Sequence, residues 1–460
     1  MLARVLSQEE FGLVGALLVF QAFASILVNS GFSFALLQRK SPTRLDYSTV
    51  LWFNITIALL AYAILYVCAP LIAHLFQDDM RLVPLSRVMF LCLVFDASAI
   101  VQTNRLIKAM DVRMVAASNA LGLFIGAVAG IVLALTGFGA WALVWQSVII
   151  SVMKSLILWT SSRWRPMMRF SFKALKSYFS LGSKMMLQAF LNTLFQKIYA
   201  FIIGNRVSMT SLGYYSQSDK WSTMGVASIS QIFSSSFVPP LSAAQDDRER
   251  FSAMISKINR FTSYVVFPAM LGLAALATPV FHALFGAKWD PSIVLFQILL
   301  LRGIFTILCS LYNNYLLALG KGTAIVKLEV VRDTVCIIAL AASFPFIGLE
   351  TSERPVLGIE ILLWGQLVAT VVTWAASLAV TSRLTGVGIL RFFTDMLPYI
   401  AQTLLIIPVV LYAGSSFTSP WLQILVEASA ALGIYIGGNY LMRSKVQKDV
   451  IGYFRGRQVL

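Results

Sequence analysis

The sequence predicts an all-α, polytopic membrane protein, and three observations carry that expectation. The chain has 460 residues, of which 58% are hydrophobic and only 12% charged, with a mean hydropathy of +0.79. Soluble domains sit at roughly 45–50% apolar and about 25% charged. The apolar residues gather in runs of about 20, the length a helix needs to span a hydrocarbon core. The runs are also continuous, whereas strands of a membrane barrel read as segments of about ten alternating residues.

Taken in order, runs bounded by charges or Gly/Pro clusters place spans near Leu13 to Phe34, Val50 to Ile72, Leu85 to Thr103, Ala116 to Leu135 and Ala142 to Thr160. A basic stretch from Ser161 to Lys176 follows. Beyond it come Leu181 to Ile203, a weaker polar span from Tyr214 to Val238, then Phe261 to Leu284, Ile293 to Leu319, Ala324 to Ile347, Val356 to Val380, Leu397 to Ala413 and Trp421 to Met442. That is about thirteen helices.

Loops between successive spans must alternate sides, so the basic residues can be sorted. Of 36 Lys and Arg, 24 fall on one side, among them Arg39, Arg44, Arg105, Arg163, Arg165, Arg248, Arg260, Arg383, Arg455 and Arg457. Five (Arg4, Arg81, Arg206, Lys288 and Arg354) fall on the other. Lys and Arg bias sets orientation while acidic residues contribute little, so the rich side is expected to be the cytoplasm and to hold the C-terminus. The net charge of +16 is then an anchoring pattern, and no nucleic-acid partner is expected. An odd number of spans places Met1 outside, yet Met1 to Glu10 has no apolar core of the kind an export signal needs.

An internal repeat bears on that oddity. Ala69-Pro70 with Leu75-Phe76 recurs as Thr278-Pro279 with Leu284-Phe285, and Asn104 with Ala109 recurs as Asn313 with Ala318, all at an offset of 209. More loosely, Arg4-Val5 followed by Phe11-Gly12 resembles Arg206-Val207 followed by Leu212-Gly213. Six spans fit in the interval, so the halves share one orientation about an axis along the membrane normal. Arg206 follows a full span and Arg4 follows three residues, so the first helix of a fourteen-helix layout is expected to be missing. The expected organisation is a first bundle over 1–162, a basic linker over 163–180, a second bundle over 181–383, and a final helix pair with a basic tail over 384–460.

Polar stripes mark where these helices face something other than lipid. Lys184, Gln188, Asn192 and Gln196 step by four along one span, with Lys197 beside its end, and Gln21, Ser25, Asn29 and Ser33 repeat the step in the first half. The span from Tyr214 to Val238 carries Ser216 to Lys220 and a run of serines. Lipid satisfies none of these groups, so each stripe faces protein or a water-filled cavity; interhelical hydrogen bonding is the plainer alternative for the scattered serines. The charges inside spans sort by depth. Arg87, Lys184 and Glu360 lie near span ends and can snorkel. Glu329, Arg332 and Asp333 have the spacing to pair. Arg302 and Asp96 are deepest, either as functional groups or as partners of each other; an unpaired charge there costs at least about 2.5–3.5 kcal/mol. Candidate substrate-binding residues are Arg302, Lys197, Lys154, Lys220, Gln188, Asn192 and Asn29, and candidate ion-coupling residues are Asp96 and Glu427.

No nucleotide-binding, metalloprotease or nucleophile-elbow motif occurs, so no enzyme activity and no cofactor are expected. Cys68, Cys92, Cys309 and Cys336 read as small buried residues without paired spacing, and His74 and His282 have no neighbouring ligand pattern, so no metal is expected.

Several segments resemble the polysaccharide flippases, in the branch of colanic-acid and lipopolysaccharide repeat-unit exporters, within the superfamily that also holds the multidrug and toxin extrusion (MATE) transporters and the lipid II flippase. They are Leu2-Ala3-Arg4 with Glu10-Phe11-Gly12, Ser30-Gly31-Phe32 through Ala35 to Lys40, Asp46 to Ser48, Ala69 to Ala73, and, more loosely, Phe237-Val238-Pro239-Pro240. The resemblance covers essentially the whole chain, and family members typically have the opening helix. It implies a MATE-like two-bundle fold, a bacterial inner-membrane location, and an undecaprenyl-pyrophosphate-linked oligosaccharide moved outward by alternating access. The expected partners are that lipid-linked glycan, the bilayer, and polysaccharide polymerase machinery. An ion-coupled multidrug or cation antiporter of the same fold is the alternative, although its cavity should be acidic. A glycan polymerase or ligase would show a long outer loop with catalytic Arg or His, and here the outer loops are short.

Overall fold

The computed structural model describes residues 1–29, 36, 39, 41–162, 164–351, 354–414 and 416–454. Most of the resembling segment Ser30 to Lys40, with Ser33 of the first polar stripe, lies outside the described residues, as do Arg163, Arg455, Arg457 and the side chain of Lys184. Among the described residues the β pairing is a single isolated bridge, Thr351 to Arg354. The rest is helical: α1 (Leu2–Val5), α2 (Gln8–Asn29), α3 (Arg44–Val67), α4 (Ala69–Leu75), α5 (Leu82–Met89), α6 (Leu91–Lys108), α7 (Val112–Leu135), α8 (Ala140–Ser161), α9 (Phe172–Arg206), α10 (Met209–Ala243), α11 (Arg248–Ala275), α12 (Ala277–Leu284), α13 (Asp290–Ala318), α14 (Gly322–Ser343), α15 (Leu357–Thr385), α16 (Ile389–Gly414), α17 (Pro420–Leu441) and α18 (Lys445–Phe454).

Local chemistry sets where helices begin. The Glu10 amide donates to Ser7 Oγ at 3.3 Å while the Ser7 amide donates to Glu10 Oε2 at 2.6 Å, a reciprocal cap on α2. Thr43 and Asp46 form the same box on α3, and Asp247 caps α11. Each satisfies amides that the first helical turn leaves without partners.

Among the described residues ten helical segments are long and apolar enough to cross a membrane, and α11 with α12, bent by 62°, makes an eleventh if the pair is one span. The other two expected spans are helices as well, but their composition sets them apart. They are α10, with its run from Ser216 to Lys220, and α14, with Lys327, Glu329, Arg332 and Asp333.

The chain divides into two compact units, Met1–Ser216 and Gln217–Leu460, with the boundary inside α10. The range 163–180, expected as a linker, falls within the first unit, where α9 packs along α2 and α3. In that unit α7 lies close against α8. A Cβ built on Gly122 would stand 3.2 Å from the Ile150 carbonyl oxygen, and one on Gly126 3.0 Å from that of Gln146. Gly122, Gly126 and Gly130 thus form a step-of-four groove for Gln146, Ile150 and Lys154, the small-residue packing that suits helices in lipid. A second close crossing joins α2 to the start of α10. A side chain on Gly12 would run into the Met209 carbonyl and one on Gly213 into the Gln8 carbonyl, so the two repeat-matched glycines meet each other reciprocally.

In the second unit α13 packs against α11 and α15, α11 against α16, and α14 against α15. Phe251, Ile255, Tyr312, Tyr315 and Phe392 form one buried cluster. Tyr399, Ile406, Val410 and Tyr435 form another. The repeat-related sequences around Pro70 and Pro279 both become short helices, α4 and α12, with proline in the first turn, where a missing amide costs nothing.

Candidate functional site

The first unit brings two of the sequence candidates together. Asp96 on α6 faces α8, where Lys154 is close enough to attract it and Ser151 stands one turn before Lys154. Both charged residues are half-buried. The seam continues with Ser98 Oγ 2.6 Å from Ser155 Oγ and the Trp159 indole N–H donating to the Ser98 carbonyl at 3.1 Å. A cation on the facing helix offsets part of the cost that either charge alone would carry in an apolar helix.

The polar stripe of α9 is open. Gln188, Asn192 and Gln196 are exposed and Lys197 is half-buried; Gln196 Nε2 donates to Asn192 Oδ1 at 3.3 Å. On α2 the exposed Asn29 donates to the Ser25 carbonyl at 2.9 Å, and Ser25 to that of Gln21 at 2.7 Å. These last side chains satisfy themselves on their own helix, which lets a polar stripe sit in an apolar segment at reduced cost.

In the second unit Arg302, nine residues into its expected span, is half-buried on α13, and its Nε is buried without a hydrogen-bond partner. The carboxylates of α14 are taken: Arg332 holds Glu329 at 2.6 Å and Asp333 at 2.9 Å. Lys220 on α10 is exposed and follows the half-buried Asp219, which bonds Thr223 at 3.3 Å. Glu427 is fully buried on α17. One oxygen accepts from Gln423 Nε2 at 2.9 Å, the other has no partner, and Gly414 on α16 is the residue whose lack of a side chain makes room for the carboxyl.

Some polar groups were not singled out by sequence reasoning. Gln402 donates to the Tyr435 carbonyl at 2.9 Å and accepts from Asn439 at 2.7 Å, all buried, and the Tyr435 hydroxyl donates to the Tyr264 carbonyl at 2.9 Å. The step of four from Tyr435 to Asn439 was the available signal; the facing Gln402 had none. Arg87, expected to snorkel, stacks 4.5 Å from the Tyr66 ring centroid. His74 contacts Asp78, and His282 Nε2 lies 2.7 Å from Asp290.

Comparison with known proteins places this geometry. Residues 1–294 match the profile of a family described as "Polysaccharide biosynthesis protein". The chain is 27% identical over 332 residues to the succinoglycan biosynthesis transport protein ExoT of Rhizobium meliloti (strain 1021), an alignment covering 72% of this chain and 67% of that one. The chain therefore spans about two thirds of that relative's length. Among solved structures it is similar to the lipid II flippase MurJ in an inward closed conformation, with a TM-score of 0.70 and 15% identity over 95% of this chain and 94% of the other. An inward-facing MATE family multidrug transporter gives a TM-score of 0.64 and 16% identity over 84% of this chain and 94% of the other. At such identities the likeness concerns the fold, which is the MATE-like transporter fold that the resembling segments led one to expect.

Proposed function

Because the chain belongs to the polysaccharide biosynthesis protein family, we propose that it moves undecaprenyl-pyrophosphate-linked oligosaccharide repeat units across the bacterial inner membrane, from the face of the basic loops to the other, by alternating access. The observation that supports this reading is Arg302, a guanidinium well inside its expected span whose Nε has no partner while the carboxylates of the adjoining helix α14 serve Arg332. A guanidinium keeps its charge at any physiological pH, so it calls for an anion or water, and the pyrophosphate supplies the anion. Arg302 is the cation of the second unit proposed to meet it, and Lys197 is the candidate that the first unit offers for the same chemistry. Lys220, Gln188, Asn192 and Asn29 offer polar groups to the sugars, and Lys154 acts with Asp96. Proton or sodium coupling would fall to Asp96 or Glu427. An anion leaving a cell that is negative inside gains about 2.3 kcal/mol per charge per 100 mV, so no nucleotide need be hydrolysed.

The test is deletion of the gene in its host, followed by analysis of the lipid fraction. A lipid-linked oligosaccharide should accumulate on the cytoplasmic leaflet and disappear when the chain is restored. Unchanged lipid-linked intermediates, with reduced efflux of cationic drugs instead, would replace this reading with the antiporter.

A further inference from the structure

At the end of the first unit that carries basic loops, a cavity of about 470 Å³ is lined by Arg44, Arg105, Ser162, Trp164 and Arg165 with Leu106 and Ala109. Small-ligand sites run to roughly 300–1,000 Å³. Counted by side of the membrane, these arginines look like ordinary anchors; their convergence does not. Arg44 stands in the first turn of α3, Arg105 in the last turn of α6, and Arg165 in the chain leaving α8.

Their bonds hold the cluster in place without neutralising it. Arg44 Nε and Nη2 donate to the Arg165 carbonyl at 3.2 and 3.0 Å. Arg105 Nη1 donates to Ser162 Oγ at 3.1 Å, and its guanidinium stacks 5.2 Å from the Trp164 ring and 5.8 Å from the Tyr47 ring. Arg165 Nη1 donates to the carbonyls of Trp159, Ser162 and Trp164. Among the described residues no carboxylate pairs with any of the three: Asp46, the acid closest in sequence to Arg44, bonds Arg39 and caps Thr43. Arg44 and Arg105 lie near enough to repel. A guanidinium carries five N–H donors, and Arg44 Nη1 and the Nε and Nη2 atoms of Arg105 and Arg165 are left over. One further donor has no partner. Trp164 is 8% exposed and its indole N–H is buried unsatisfied, a group that can only donate.

We propose that this pocket binds a phosphate group, as carried by a phospholipid or pyrophosphate-linked headgroup at the membrane surface or by pyrophosphate free in solution. Planar guanidiniums match phosphate oxygens two at a time, and an anion would relieve the repulsion between Arg44 and Arg105. The site does not rest on the transport reading: a chain that exported no glycan would still bind here.

The experiment uses the full chain. Inorganic pyrophosphate is titrated into detergent-solubilised protein by calorimetry, and retention of phosphatidylglycerol against phosphatidylcholine is measured by native mass spectrometry after release from nanodiscs. Saturable binding of pyrophosphate identifies a site open to soluble anions; selective retention of phosphatidylglycerol alone identifies the lipid headgroup as its source. In either arm Arg105→Gln, which keeps a donor for Ser162, should weaken binding about tenfold, the scale for one charge-assisted hydrogen bond. Replacing Trp164 with 3-benzothienylalanine keeps both fused rings and exchanges only the N–H for sulfur, so it tests the site even if the arginine variant misfolds, and it should weaken binding about threefold to tenfold. Absence of binding in both arms, or binding that neither variant changes, overturns the proposal.

Discussion

The two units treat charge inside apolar helices differently. In the first, Asp96 has the opposite charge of Lys154 acting on it from the facing helix. In the second, Arg302 has an Nε without a partner, even though α14, which packs on α13, carries two carboxylates. Those carboxylates are committed to Arg332 at 2.6 and 2.9 Å. Arg302 is therefore unpaired while the acids of the adjoining helix are in use, an arrangement that structural stability alone does not favour. On the proposed function, Asp96 with Lys154 belongs to the scaffold and Arg302 is the group that meets the ligand.

Breaking the unpaired charge should have the largest effect. Arg302→Ala is expected to abolish glycan export in a complementation assay with protein abundance near wild type. Arg302→Lys should restore export only in part, because the bidentate fork is lost. A fall in abundance as large as the fall in export would show that Arg302 is structural after all, and the contrast between the units would collapse.

Breaking the paired charge should do the reverse. Lys154→Ala leaves Asp96 without its cation, and Asp96→Ala leaves Lys154 without its anion, so each should cost about 2.5–3.5 kcal/mol on insertion scales and lower the amount of folded protein in the membrane. The double variant should recover most of that abundance, because neither charge is then stranded. Abundance is read by quantitative immunoblotting of membranes. Single variants at wild-type abundance but without export would move the pair from scaffold to transport site, or to the coupling role proposed for Asp96.

How much of this was legible beforehand follows from what periodicity encodes. Span positions come straight from run length, because hydropathy and rise per residue fix them, and they put Arg302 and Asp96 well inside helices α13 and α6. The pairing of Glu329, Arg332 and Asp333 was legible because it lies on one helix. Asp96 and Lys154 are 58 positions apart on different helices, and no period states which helix faces meet. The groove of Gly122, Gly126 and Gly130 was visible as a step of four, yet only its fit against Gln146, Ile150 and Lys154 explains why Lys154 is held at the seam. Likewise, sorting arginines by side of the membrane is blind to three of them converging on Trp164.

The smallest expected effect compares the loops after the repeat-related helices α4 and α12. The second holds His282 against Asp290. The first holds Asp79 and Glu9 on Arg81, and the hydrogen bonds from Arg81 draw the Asp79 carboxyl below its ordinary value of 3.8. A depressed carboxylate stabilises the fold fully above its unfolded value and loses that contribution as pH falls through the folded one. Arg81 is 56% exposed, so solvent screening holds the contribution to under about 1 kcal/mol. Asp79→Asn should therefore lower the unfolding temperature in detergent by about 1–2 °C at pH 7. The gap between wild type and variant should close only on acidification below the usual carboxylate range. A difference unchanged down to that acid limit would mean that Asp79 acts through packing, and that charge pairing contributes nothing to how this loop is held.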